Sequence, residues 1–183
     1  MPCASERKLS LDAILFQHAP AMELDAYDQR HLAAADGYLA LGMYLAANAA
    51  LDAIGAEYRH FPQVLDLREN VYVALGKWEM AQVVARALML ADPHNPGRAL
   101  RLAAATMRAQ SLDAAIAVLM TALGSHPNHP QIHYGLACYT CLKGDMVEAL
   151  AYLEQAIKLD PGLRLVSLED EDLTQLWMEL GKK

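Results

Sequence analysis

The residues best suited to chemistry are Cys138 and Cys141, separated by Tyr139 and Thr140. A pair with this spacing can hold zinc or cycle between dithiol and disulfide. His126, His129 and His133 lie just before it and would complete a ligand set. Structural zinc sites usually draw on two tight pairs at loop ends, whereas these cysteines fall within a helical pattern. Small apolar packing is the favoured reading, and no metal or cofactor is expected. Glu69 beside Arg68 is the second candidate. A carboxylate in a cleft with a raised pKa can act as a base. No second catalytic group converges on it in sequence, so a structural charge pair is favoured. The third is the acidic run Glu169, Asp170, Glu171 and Asp172, suited to a basic partner or to a helix start. His31 and His133 read as packing side chains. No phosphate-cradling glycine loop, zinc-protease histidine pair, serine elbow or calcium loop is present. The expectation is binding rather than catalysis.

Whatever these groups do, helices must position them. The chain is 55% hydrophobic and 20% charged. Much of the apolar share is alanine, leucine and methionine, which favour helix. The formal net charge is −7, with no run of Lys or Arg. That balance disfavours nucleic acid and an anionic membrane surface as partners. No apolar stretch is long enough for a spanning helix, and no signal peptide is evident in the first ten residues. Three cysteines do not make a disulfide framework, so a cytoplasmic setting is expected.

The chain repeats. Pro93, Pro127 and Pro161 are 34 residues apart, as are Pro62, Pro96 and Pro130. Ala47, Ala81, Ala115 and Ala149 keep the same step. So do Gly42 and Gly76, with Gly144 two steps on and Gln110 between. This register gives units 28–61, 62–95, 96–129 and 130–163, each of two helical stretches. In the fourth, Ile132, Leu136, Tyr139 and Leu142 mark the first stripe. Ala149, Leu150, Leu153, Ile157 and Leu159 mark the second. Gly144 suits the left-handed residue that ends a helix, and Asp145 with Glu148 suits the cap of the next. After the repeats, Ser167 to Asp170 reads as a capping box. Leu173, Leu176, Trp177 and Leu180 follow it as a stripe, predicting one C-terminal capping helix over 168–181 within segment 164–183. The N-terminal segment, 1–27, is read as loose over 1–9 with a short helix over 10–18.

These columns resemble the tetratricopeptide-repeat (TPR) family. There, small residues at the eighth and twentieth positions let paired helices approach closely. The twentieth is alanine in all four units here. The eighth is Ala35, Glu69, Ala103 and Ala137, so Glu69 departs from the pattern. The resemblance implies an all-α fold: a right-handed α-solenoid of four helix-turn-helix repeats plus the C-terminal capping helix.

It also implies where a ligand sits, since the first helix of each pair lines a concave groove. The groove positions here are Gln29, Leu32, Asp36 and Leu39, then Gln63, Asp66, Asn70 and Val73. Gly97, Leu100, Ala104 and Met107 follow, then Gln131, Tyr134, Cys138 and Cys141. The N-terminal half is polar and slightly acidic, the C-terminal half apolar. Such a surface suits an extended peptide or a helix from another protein. Heat-shock co-chaperones of this family carry a carboxylate clamp. Its first-unit lysine and asparagine positions hold Leu32 and Asp36 here, which disfavours a carboxylate tail. The expected function is a protein-interaction adaptor or scaffold. The alternatives are a small chaperone for one client, as in bacterial secretion systems, and a metal or redox protein using Cys138 and Cys141.

Overall fold

The computed structural model describes residues 23–181. The expectations for residues 1–9 and 10–18 lie outside them. Among the described residues every regular element is a helix. Helices α1 (Ala26–Ala40) and α2 (Tyr44–Asp52) form the first pair. The second pair is α3 (Pro62–Ala74) and α4 (Trp78–Ala91). The third is α5 (Pro96–Ala109) and α6 (Leu112–Ser125), and the fourth α7 (Pro130–Lys143) and α8 (Met146–Leu159). Each helix packs on the one before it, so the pairs stack into a solenoid.

The helix ends follow from a few residues. Pro62, Pro96 and Pro130 open α3, α5 and α7, where a missing N–H costs nothing. Asp25, Asn95, Ser111 and Asp145 each accept a backbone N–H at a helix start. Gly42, Gly76 and Gly144 take φ of +72°, +67° and +92° at the turns within three pairs. At the last, Gly144 N–H donates to Cys141 O at 2.9 Å and Asp145 N–H to Thr140 O at 3.0 Å, ending α7 tightly. The third pair has Gln110 instead. It avoids the left-handed region, at φ −129°, and hands the chain to the Ser111 cap. A Cβ at Gly144 would meet nothing within 4 Å, so the backbone alone sets the cost of adding one. Gly144→Ala should lose about 1–2 kcal/mol in chemical denaturation, the ordinary penalty for an L-residue held left-handed.

Packing follows the repeat columns. Ala47, Ala81, Ala115 and Ala149 are all fully buried, as are Ala35, Ala103 and Ala137. A methyl group there lets two helix backbones approach closely. Leu51, Ile54, Val64 and Val71 fill the first interface between pairs, and Leu119, Ile132 and Leu136 the third. Each such side chain contributes about 1.5–3 kcal/mol through burial. Leu142, read as part of the apolar stripe, is instead exposed near the end of α7.

The first joint differs from the rest. Helix α2 is only nine residues long, and its contact with α3 is the thinnest between consecutive helices of the stack. Polar ties hold it. Arg59 donates from Nε to Ile54 O at 2.8 Å and from Nη2 to Asp52 O at 2.6 Å. Arg68 reaches Asp52 Oδ1 at 2.7 Å. Buried Asp28 on α1 accepts Gly55 N–H at 3.0 Å.

The C-terminal end is broken where one helix was expected over 168–181. Helix α9 spans Leu163–Glu169, a 3₁₀ turn spans Glu171–Leu173, and α10 spans Thr174–Leu180. Ser167 is no cap. It is buried inside α9, and its hydroxyl donates to Arg164 O at 2.8 Å. Asp170 breaks the helix by turning extended, at φ −79° and ψ 118°, and its Oδ1 accepts Asp172 N–H at 3.0 Å. The Trp177 indole N–H donates to Ser167 O at 2.6 Å and folds α10 back against α9. Leu173 and Leu176 are thereby buried against Ala137, Cys138 and Cys141 of α7.

Candidate functional site

The first helices α1, α3 and α5 present their groove positions to one side. Gln29, Leu32 and Asp36 of α1 face Gln63, Asp66 and Asn70 of α3 across a recess of about 600 Å³, with Leu24 and Leu67 at its base. Val73 of α3 and Ala104 and Met107 of α5 line a second recess of about 420 Å³ with Trp78. Asn70 lines both.

An ion network sits beneath Asn70. Arg98 forks onto Asp66, with Nη1 on Oδ1 and Nη2 on Oδ2, the latter at 2.9 Å. Arg101 reaches Asp66 Oδ1 at 3.1 Å, Glu69 Oε1 at 3.0 Å and Asn70 Oδ1 at 2.7 Å. The Arg98 contact, aided by Arg101, holds the Asp66 carboxyl below its ordinary range. Glu69 is 2% exposed, and burial pushes its carboxyl up against the opposing pull of Arg101. The partner of Glu69 is therefore Arg101, not the neighbouring Arg68, which pairs with Asp52. Both acids and both arginines recur at a spacing of 32, from Asp66 to Arg98 and from Glu69 to Arg101. In a solenoid that spacing joins adjacent first helices, and it was the signal available in the sequence. The Gln82–Thr106 pair, buried and bonded at 2.9 Å, joins adjacent pairs in the same way.

Comparison with known proteins matches this architecture. A family model described as tetratricopeptide repeat covers residues 72–137. Over residues 72–137 the chain carries tetratricopeptide repeats. Among solved structures, MamA from AMB-1 is 25% identical, with 82% of this chain and 81% of that one aligned and a TM-score of 0.61. TTC0263, a thermophilic TPR protein of Thermus thermophilus, is 24% identical over 84% of this chain and 83% of its own, with a TM-score of 0.60. MamA residues 41 to the end, from Desulfovibrio magneticus RS-1, is 17% identical over 74% and 76%, with a TM-score of 0.65. These likenesses carry the fold. No curated protein matches the chain. TPR proteins bind other proteins or peptides, and no helix among the described residues is long and apolar enough to cross a membrane.

The repeats do not leave the whole groove open. Tyr134, Cys138 and Cys141, expected in its C-terminal half, lie under the chain's own last segment. Leu173 and Leu176 press on them, and the Tyr134 hydroxyl donates to Asp170 Oδ2 at 2.7 Å. An apolar groove end next to a tethered apolar stripe closes on that stripe, because burying both removes apolar surface from water. Leu100 packs into the third core cluster, and Gln131 is exposed outside both recesses. The open groove thus runs along α1 and α3 to Ala104 and Met107 of α5 and is covered at α7.

The cysteines do not assemble with the histidines. His133 is buried, its Nε2 2.8 Å from Pro127 O and its ring against Tyr152. His129 starts α7, and burial and His126 lower its pKa. His31 stacks edge-on with Tyr27. The one grouping of three metal-ligand side chains among the described residues is Cys138 with Asp170 and Asp172. Burial pushes both the Cys138 and Cys141 thiols up, away from the reactive thiolate. Asp170 of the acidic run turns inward to Tyr134 and Cys138, and burial raises the neighbouring Asp172 carboxyl.

Proposed function

We propose that this chain is a protein-interaction adaptor that holds an extended segment of another polypeptide along α1, α3 and α5. The observation that carries this reading is the state of Asn70. Its Oδ1 accepts from Arg101, which leaves the amide N–H₂ as a donor in a groove that runs past it on both sides. A peptide carbonyl is the natural acceptor. Asp36 adds a carboxylate with no salt-bridge partner among the described residues, whereas Asp66 is neutralised by two arginines. A lysine or arginine of the partner fits opposite Asp36. The carboxylate-tail reading stays disfavoured for the same reason. The chaperone alternative has less apolar groove to draw on, because the last segment covers Tyr134, Cys138 and Cys141. Binding accounts for the site without catalysis.

A random peptide library displayed against the intact protein tests this. Selected peptides should be rich in Lys or Arg. Asp36→Lys with Asn70→Ala should weaken them at least tenfold, the sum of one charge reversal and one hydrogen bond. Gln131→Ala should change nothing. Peptides that bind both proteins equally would move the site off this groove.

A further inference from the structure

A face of α1 that the later first helices bury is bare. Ala34, Gly37 and Tyr38 form it at helical spacing, Leu41 extends it, and all are exposed. The same columns are covered further along the chain. Ala34 is succeeded by Leu102 and Leu136, both buried, two and three repeats on. Gly37 is succeeded by Val71 and Ala105, also buried. Tyr38 is 37% exposed, whereas Tyr72, Thr106 and Thr140 in its column are 9%, 2% and 2% exposed. In each later pair the cover is the second helix of the pair before. Leu51 and Ile54 of α2 cluster with Val64 and Val71, Val84 and Leu88 of α4 with Ala105, and Leu119 and Ala122 of α6 with Ile132 and Leu136. No helix precedes α1 among the described residues. A solenoid end left bare in this way exposes apolar surface that a terminal element has to cover.

Residues 10–18 carry a matching pattern. The range of α2, Tyr44–Asp52, moved back by 34 residues is Ser10–His18. Ala13 then falls in the column of Ala47, Ala81, Ala115 and Ala149, all fully buried. Ile14 and Phe16 fall in the columns of Ile116 and Val118, which pack against the third core cluster. Gln17 departs, since Leu51 and Leu119 hold its column. Pro20 ends the helical stretch. Residues 19–25 then connect to α1, a link longer than Asp92–Asn95 between α4 and α5 and shorter than 53–61 between α2 and α3. We infer that residues 10–18 form a helix docked on Ala34, Gly37, Tyr38 and Leu41, the second helix of a half-repeat that closes the N-terminal end of the solenoid. Other residues of α1, namely Gln29, Leu32, Ala33 and Asp36, line the groove recess, so this docking does not depend on what the groove holds.

Hydrogen–deuterium exchange of the full chain tests the docking. Isolated helices shorter than about 12 residues are marginal in water, so protection along 10–18 has to come from packing. In the wild type those amides should exchange about tenfold or more slowly than in the unfolded chain. Ala34→Glu, a good helix former at an exposed position, should abolish that protection while α3 to α8 exchange as before. Gln17→Leu should slow exchange along 10–18 by about a further tenfold, because leucine restores the buried side chain that Leu51 and Leu119 supply in their helices. No protection along 10–18 in the wild type, or protection that survives Ala34→Glu, overturns the inference. So does protection that grows with protein concentration, which places the segment on a second copy, and so does protection that Asp36→Lys removes, which places it in the groove.

Discussion

Replacing Arg101 with alanine is expected to lower folding stability by about 3 kcal/mol, at the lower end of the range for breaking a buried pair because Arg101 itself is partly exposed. The change leaves Glu69 buried with no counter-charge and releases Asn70 Oδ1. Asp66 keeps Arg98 and is affected less. The deficit should depend on pH with a definite sign. Burial already raises the Glu69 carboxyl above its ordinary 4.5, and removing the guanidinium raises it further. A group raised in the folded state binds protons more readily there than in the unfolded chain. Its contribution is complete below the unfolded value and is lost as pH climbs through the folded one. The gap between variant and wild type should therefore be widest at neutral pH and narrow toward pH 4. Urea melts at several pH values measure it. A gap independent of pH would mean that Glu69 is not the source of the cost. Replacing Glu69 and Arg101 together with leucine should recover most of the loss, since well-packed apolar residues often match a buried pair.

Removing residues 163–183 should cost roughly 3–6 kcal/mol, the burial of Leu173 and Leu176 at about 1.5–3 kcal/mol each. It should also change the thiols. In the intact protein Cys138 is 6% exposed and Cys141 1%, and both should resist a thiol reagent under native conditions. Without the last segment both should react as soon as the reagent is mixed, counted above Cys3. Leu173→Ala tests the same contact more gently, with an expected loss of about 2–5 kcal/mol. Slow thiols in the truncated protein would show that α7 and α8 bury them unaided.

The fold was legible because it is periodic. A column that recurs at every step, such as Ala47 through Ala149, states both the helix and what lies against it. The turns were legible for the same reason, apart from Gln110, where the chain replaces a glycine turn with a serine cap. The candidate site was legible only where it follows the repeat. Gln29, Asp36, Gln63, Asp66 and Asn70 share one recess, as first-helix residues about one repeat apart can. The choice of Arg68 as the partner of Glu69 failed because neighbours along a helix point away from each other, whereas a solenoid pairs residues about one repeat apart. Covering of Tyr134, Cys138 and Cys141 was not legible. A single helix over 168–181 is what the local pattern favours, and the fold back through Asp170 is decided by tertiary contacts that only the assembled end of the solenoid offers.

The thin first joint has a consequence for energetics. Repeats in a solenoid open as nearly independent units, each held by its neighbours. The first unit, joined to the next through the short α2, is then the one whose backbone amides exchange soonest with deuterated water. The larger recess spans that same joint, with Gln29 and Asp36 on one side and Gln63 and Asn70 on the other. An occupant there bridges the two units, so its binding energy is also closure energy for α1 and α2. Occupancy would register as slowed deuterium uptake along Ala26–Asp52, most of it in amides that never touch the ligand.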